Sequence, residues 1–371
     1  MKKILIILIL TFLFPITAQA ANPDTNLLEM MRIVDFNEID TIITGAGIGN
    51  RPSISELTLS ALRGDLDLSA SGVMNMVLGS LFREVADLLY LLRIMLVVAV
   101  LSGFFRGLSS SFSSSKAAHV GFLVNYVLVI SLIFASFYVA VGVMQTMARN
   151  VLALLAAATP IIIAVLAASG YVAPAAGFAP MIMFITGFLT LFVERILVPV
   201  ITLAAVFHLI SYLADKDTFE PMVDSVKKGI KFSLKAVSLI FSAIVGIQHI
   251  ATPIVNNLAI RGTRLAVGAV PVVGSALSGA IDAAILYGGA MRGALSVALL
   301  IGAAGIVIGP IISIAAFVLV YRLTAALIAP ICEERIVKAV ATAGDYAEIL
   351  LGVCAMVGFM FVFITLAALA L

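Results

Sequence analysis

The chain has 371 residues, 63% of them hydrophobic and only 11% charged, with a mean hydropathy of +1.21. Soluble domains run near half apolar and a quarter charged, so composition excludes a soluble globular protein and specifies a polytopic membrane protein. A net charge of +2 says nothing about nucleic acid, but no basic tract with interleaved aromatics appears, and no nucleic-acid partner is expected. The cysteines, Cys332 and Cys354, lie in or beside apolar runs and do not form a disulfide framework.

Residues 1–20, MKKILIILILTFLFPITAQA, have the plan of a secretory signal. Lys2 and Lys3 are the basic start, Ile4 to Phe14 is an apolar core too short to span comfortably, and Ala18-Gln19-Ala20 fits small-x-small cleavage. Cleavage after Ala20 is favoured over an uncleaved anchor. Residues 21–85 then form a small helical extracytoplasmic segment with nine acids to four bases, a balance that does not hold a segment inside. Ser53 and Glu56 are spaced as a capping box before Leu57, Ala61 and Leu62, and Gly64 can stop that helix. A second helix is expected from near Ser71. These helices are expected to pack on the membrane face or on a partner. Gly45, Gly47 and Gly49 lack the preceding strand and βαβ unit that a nucleotide loop requires.

Residues 86–371 read as an all-α transmembrane bundle of about seven to nine crossings. Ala86–Leu108 is the first expected span, with Arg93 inside it. Ala117–Met144 is the second and Val151–Ser169 the third, broken by Pro160, and Gly170–Ala176 is a tight turn. Gly177–Leu213 exceeds one bilayer thickness, and Glu194 and Arg195 interrupt it. The economical reading is two spans meeting at a short external turn there; the alternative is a buried Glu194–Arg195 site. Residues 215–235 are a polar loop with five lysines, which places them in the cytoplasm. Phe219, Met222, Val223, Val226 and Ile230 make an apolar stripe, so this loop reads as a basic amphipathic helix on the inner leaflet. Lys227, Lys228 and Lys231 either dock a cytoplasmic partner or serve only to fix topology.

Ala236–Ile254 is the sixth span. Gly293–Leu327 is again long for one helix, and Gly302, Gly305, Gly309 and Pro310 allow close packing and a break. Between the two, residues 261–292 hold Asp282 as the only acid, bracketed by Arg261, Arg264 and Arg292. Pro271 can open a helix on which Gly274, Ser278 and Asp282 fall at i, i+4 and i+8, giving one small, polar face. This segment is re-entrant or interfacial: Asp282 faces protein or a water-filled cavity, or it reaches headgroup water. Gly274, Ser278, Asp282 and Arg264 are accordingly candidates for a pathway or packing surface. Ile349–Leu371 is the last span. No HExxH, paired-cysteine, P-loop or nucleophile-elbow pattern is present. The expectation is no catalysis and no cofactor or metal, with any energy supplied by a partner or an ion gradient.

Certain residues go further. Gly64-Asp65-Leu66-Asp67-Leu68-Ser69, Val267 to Gly274 (VGAVPVVG) and Ala276-Leu277-Ser278 with Asp282 resemble the stage III sporulation protein AE family. So do Tyr321 to Ala326, Ala329-Pro330, Ile336-Val337 and Gly344, in matching order over about residues 53–371. Ser275 stands where a basic residue is common in that family, and Gly279 where an acid is. The resemblance implies an integral subunit of the stage III sporulation A channel complex in the mother-cell membrane around the forespore. Its implied partners are the other stage III sporulation A proteins, AA to AH with AA the ATPase, and forespore protein Q. A stand-alone ion-coupled secondary transporter is the alternative.

Overall fold

The structure, a computed structural model, describes residues 36–45, 53–63, 79, 82–90, 92–97, 100–101, 115–212, 220–268 and 274–369. Eight α-helices carry most of the described chain. They are α1 (Asn37–Gly45), α2 (Ile54–Arg63), α3 (Ser115–Ala168), α4 (Val172–Thr190), α5 (Val198–Ser211), α6 (Glu220–Gly268), α7 (Gly274–Ile328) and α8 (Glu334–Leu369). Residues 82–90 and 92–97 are helical as well. The signal segment, the connection around Pro271 and the last two residues lie outside the described residues.

Five described stretches are long and apolar enough to cross a membrane: Tyr126–Ala168, Ala175–Ser211, Pro221–Ile247, Gly289–Ile328 and Glu334–Leu366. Several expected breaks are absent. The second and third expected spans are one 54-residue helix, α3, which runs through both Arg149 and Pro160. α7 is likewise unbroken through Pro310. The turn expected at Glu194–Arg195 is instead a π-helical segment, Leu191–Leu197, that joins α4 to α5 without reversal. The basic segment does not form a separate helix lying on the leaflet. From Glu220 onward it is the start of α6, which continues through the expected sixth span. Val223, Ile230 and Leu234 are buried within the bundle, while Met222 is exposed. In each case a helix bridges residues that, taken locally, mark an end. A charge in mid-helix need not terminate it if another helix supplies the counter-charge.

The reversal expected over Gly170–Ala176 is present but shorter, because α4 already begins at Val172. At the end of α3, Gly170 takes φ 81°. Its N–H donates to the carbonyl of Ala167 at 3.0 Å, and that of Tyr171 to Leu166 at 2.9 Å. This paired bonding closes a helix around a left-handed glycine. α3 and α4 therefore form a hairpin with its tip at Ser169–Tyr171.

Ion pairs set the level of neighbouring helices. Arg149 of α3 meets Glu194 at 2.7 Å. Arg322 of α7 pairs with Glu348 of α8, and Lys227 of α6 reaches Asp345 of α8 at 3.4 Å. From these levels toward the hairpin tip, every long helix is free of charge: residues 150–168, 172–193, 236–260, 293–321 and 349–369 contain no Asp, Glu, Lys or Arg. Each is near or above the ~20 residues that cross a bilayer. An uncharged layer thus lies across the bundle, bounded by the ion pairs on its lysine-rich side and by the α3–α4 tip and Arg292 on the other. The 43-residue, predominantly apolar stretch Tyr126–Ala168 rises about 65 Å at 1.5 Å per residue, roughly twice a hydrocarbon core. The bundle continues well below the layer.

The N-terminal helices pack on this chain's own bundle. Ser53 Oγ accepts from the Glu56 N–H at 3.1 Å, and Glu56 Oε2 accepts from the Ser53 N–H at 3.0 Å, completing the capping box. Asp40 Oδ1 accepts from the Ile54 N–H at 2.7 Å, joining α1 to α2. Ile39, Ile43, Ile54, Leu57 and Leu62 are buried, with α2 against α7 and α1 against α3 and α7.

Candidate functional site: the lysine-rich end and the π-helical turn

α5 reaches the lysine-rich end carrying His208, and helices from three sides close on it. The Tyr126 hydroxyl of α3 donates to the Leu209 carbonyl. The Tyr346 hydroxyl of α8 donates to the Ala204 carbonyl at 2.9 Å. His208 Nε2 and the Tyr212 hydroxyl are 3.0 Å apart, and that hydroxyl is 2.8 Å from Thr342 Oγ1. His208 is buried, and its Nδ1 has no hydrogen-bond partner among the described residues. Lys227 Nζ stands 4.9 Å above the Tyr346 ring. One level further along, the Ser136 and Tyr321 hydroxyls bond across α3 and α7. A Cβ on Gly344 would stand 3.4 Å from the Tyr321 Cβ, so α7 and α8 approach closely there. This assembly fixes helix register and rotation with directional bonds, and it places ionic groups at one end of the bundle.

The π-helical segment Leu191–Leu197 is the second unusual site. A π turn carries one extra residue per turn and recurs at functional positions. Pro199 accounts for it locally: proline has no N–H for the Arg195 carbonyl and would crowd it in a regular α-helix. The wider turn directs Glu194 to Arg149, not to its neighbour Arg195, which is exposed. An open hollow of about 450 Å³ lies beside it, lined by Met183, Thr186, Gly187, Thr190, Leu191 and Arg195. The two threonine hydroxyls donate back to their own helix, to Ile182 and Thr186.

The residues singled out from sequence fall as follows. Arg264 is near the end of α6; Gly274 opens α7, and Ser278 and Asp282 follow on the same helix. Residues 261–268 and 274–292 are thus parts of two long helices, and the side chains of Ser278, Asp282 and Arg264 lie outside the described residues. Gly302 is a packing glycine: a Cβ there would stand 2.9 Å from the Cδ1 atoms of both Ile43 and Ile54. Its partners are the N-terminal helices, not a second span. Gly309 has open space at its Cβ position. Gly305 and Pro310 lie within α7. Of the three lysines, Lys227 is turned inward with its side chain 13% exposed, whereas Lys228 and Lys231 are both exposed. Tyr126, Tyr212, Thr342 and Tyr346 were not legible as a group, because they come from separate helices and no short spacing links them. Among the described residues no three His, Cys, Asp or Glu gather as metal ligands.

These features define a polytopic helical membrane protein whose polar chemistry is concentrated at one end of the bundle and at one π-helical turn. Residues 53–371 match the family profile of stage III sporulation protein AE, and the chain belongs to that family. It is 24% identical over 275 residues to the stage III sporulation protein AE of Bacillus subtilis (strain 168), covering 73% of this chain and 68% of that protein. No solved structure matches it. The protein is therefore a sporulation membrane protein.

Proposed function

We propose that this protein is an integral subunit of the stage III sporulation A channel, a secretion-like feeding conduit in the mother-cell membrane around the forespore. It acts without catalysis of its own, and the bilayer occupies the uncharged layer. One observation carries this reading. α1 and α2 dock around Gly302, about 15 Å along α7 from Arg292 and about 30 Å from Arg322 at 1.5 Å per residue. They therefore lie at the depth of the uncharged layer, yet Glu38, Glu56 and Arg63 are exposed on their outer faces. Charged side chains at that depth cannot face acyl chains; they face water or protein. A wall of an aqueous path or of a multi-subunit channel supplies that surrounding, and an isolated bundle in lipid does not.

The partners in this reading are the other stage III sporulation A proteins, AA to AH, and forespore protein Q. Lys231 and Lys228 form the surface for the AA ATPase, whereas Lys227 is already engaged by Asp345 and Tyr346. The test introduces Glu38→Cys or Arg63→Cys into the protein in its own host. Both native cysteines are buried, so background labelling is low. A membrane-impermeant maleimide should modify both positions in sporulating cells whose engulfed compartments have been opened to the reagent. Modification only by a lipid-soluble reagent would remove the conduit reading. Deletion of the gene should arrest spore development after engulfment.

The secondary-transporter reading draws on one feature, the Glu194 carboxylate in a π-helical turn. It requires ion-coupled uptake by the purified protein alone in liposomes, abolished by Glu194→Gln.

A further inference from the structure

Arg292 stands at the far edge of the uncharged layer, where α7 meets the tip of the α3–α4 hairpin. It is 9% exposed. Its guanidinium carbon is 4.3 Å from the centroid of the Tyr171 ring. Nε and Nη1 are both covered, and among the described residues neither meets a hydrogen-bond acceptor. Met291, Ala294 and Leu295 beside it on the helix are buried and apolar. A guanidinium cannot discharge itself by losing a proton in a protein. Covering its charge while leaving donors unmet is costly, and a ring face offsets only part of that cost. A covered cation with two unmet donors has the charge and the geometry to take an anion.

We propose that Arg292 binds a phosphate-type oxyanion at the membrane edge, with Tyr171 as its cover. Phosphate matches the guanidinium in charge and in donor geometry. Phospholipid headgroups stand where an apolar span ends, and tyrosine is enriched at that depth. The depth assignment rests on the bilayer occupying the uncharged layer and is independent of conduit activity. Tyr171 belongs to the turn pivoted on Gly170, which has φ 81°. Movement of that turn uncovers the two donors, and the incoming oxyanion takes the place of the ring against the guanidinium.

The experiment uses the full chain in neutral detergent. Phosphatidylglycerol, diacylglycerol (which lacks the phosphate) and inorganic phosphate are each titrated in. Bound adducts are counted by native mass spectrometry, and melting is followed by thiol exposure of Cys332 and Cys354. Phosphatidylglycerol should bind and raise the melting temperature, and diacylglycerol should not. Arg292→Gln should weaken phosphatidylglycerol binding at least tenfold, and Tyr171→Ala should retain or strengthen it. Should Arg292→Gln fail to fold, Arg292→Lys, which keeps the charge but loses the planar fork, should bind several-fold more weakly than wild type. Inorganic phosphate reproducing the full shift identifies the source as free phosphate; a response to phosphatidylglycerol alone identifies a lipid headgroup. Wild-type binding by the folded Arg292 variant, or no response to either phosphate source, overturns the site.

Discussion

The lysine-rich end of the bundle and the uncharged layer are held together by different forces. At the lysine-rich end, hydroxyls cross between helices: Tyr126 to Leu209, Tyr346 to Ala204, Tyr212 to Thr342 and Ser136 to Tyr321. Within the layer, Thr159, Ser169, Thr186, Thr190, Ser296 and Thr365 instead donate to carbonyls of their own helices. Directional bonds fix rotation and register, because a small slide breaks them. Apolar packing tolerates a slide so long as volume is conserved. The lysine-rich end therefore behaves as the fixed frame, and the layer as the part whose helices can adjust against one another or against a partner.

The largest expected effect tests the frame. Tyr346 is fully buried; its ring packs edge-on to Phe137 and His208, and its hydroxyl holds Ala204. Tyr346→Ala should cost about 3–5 kcal/mol, whereas Tyr346→Phe should cost about 1 kcal/mol for the lost hydrogen bond. Thermal exposure of the buried thiols Cys332 and Cys354 reads both. Equal losses for the two variants would mean that the hydroxyl, not the ring, anchors α8 to α5.

In the layer, Gly302→Val should cost about 1–3 kcal/mol by overpacking. The atoms in its way are the far ends of Ile43 and Ile54. The expected outcome is release of α1 and α2 with the bundle's melting little changed, seen as proteolysis within residues 36–63. Global destabilisation would show that these helices belong to the frame. Lys227→Met removes an ion pair to a half-exposed carboxylate and a cation–π contact. Its cost should be about 1 kcal/mol. If the conduit reading holds, recovery of the ATPase with the complex should survive that change and fall with Lys228→Glu or Lys231→Glu, because both of those lysines are exposed.

What could be read from sequence was what depends on near neighbours. The Ser53–Glu56 box, the α3–α4 reversal at Gly170, the apolar character of the spans and the family resemblance all rest on local pattern. What could not be read depends on distant partners. Arg149 does not end a helix because Glu194 meets it, and Lys227 turns inward because Asp345 lies across from it, 118 residues away in the chain. A span length of about 20 residues, applied as a ruler, cuts α3 and α7 in two; both are longer than the bilayer because the bundle extends below it. Gly302 was legible as a packing residue but not its partner, since nothing near it points to Ile43. Arg292 was visible only as a bracket to the Asp282 stretch, and its burial against Tyr171 requires the hairpin tip.

The smallest expected effect falls at the boundary between the two regions. Arg149 is 64% exposed and Glu194 20% exposed, at 2.7 Å. A pair this open contributes about 0–1 kcal/mol, because solvent screens it and two side chains lose freedom to make it. Glu194→Gln keeps an acceptor for the Arg149 Nε–H, so melting should shift by no more than about 1 kcal/mol. The π-helical turn should persist, since Pro199 still denies the Arg195 carbonyl its donor. Pro199→Ala should therefore perturb the Arg149–Glu194 contact more than Glu194→Gln does, by allowing a regular α-helix that turns residue 194 off α3. A loss of 3 kcal/mol or more in Glu194→Gln would mean that this pair is shielded from water. The charged boundary would then lie inside the apolar region, and the separation of a fixed end from an adjustable layer would fail at that level.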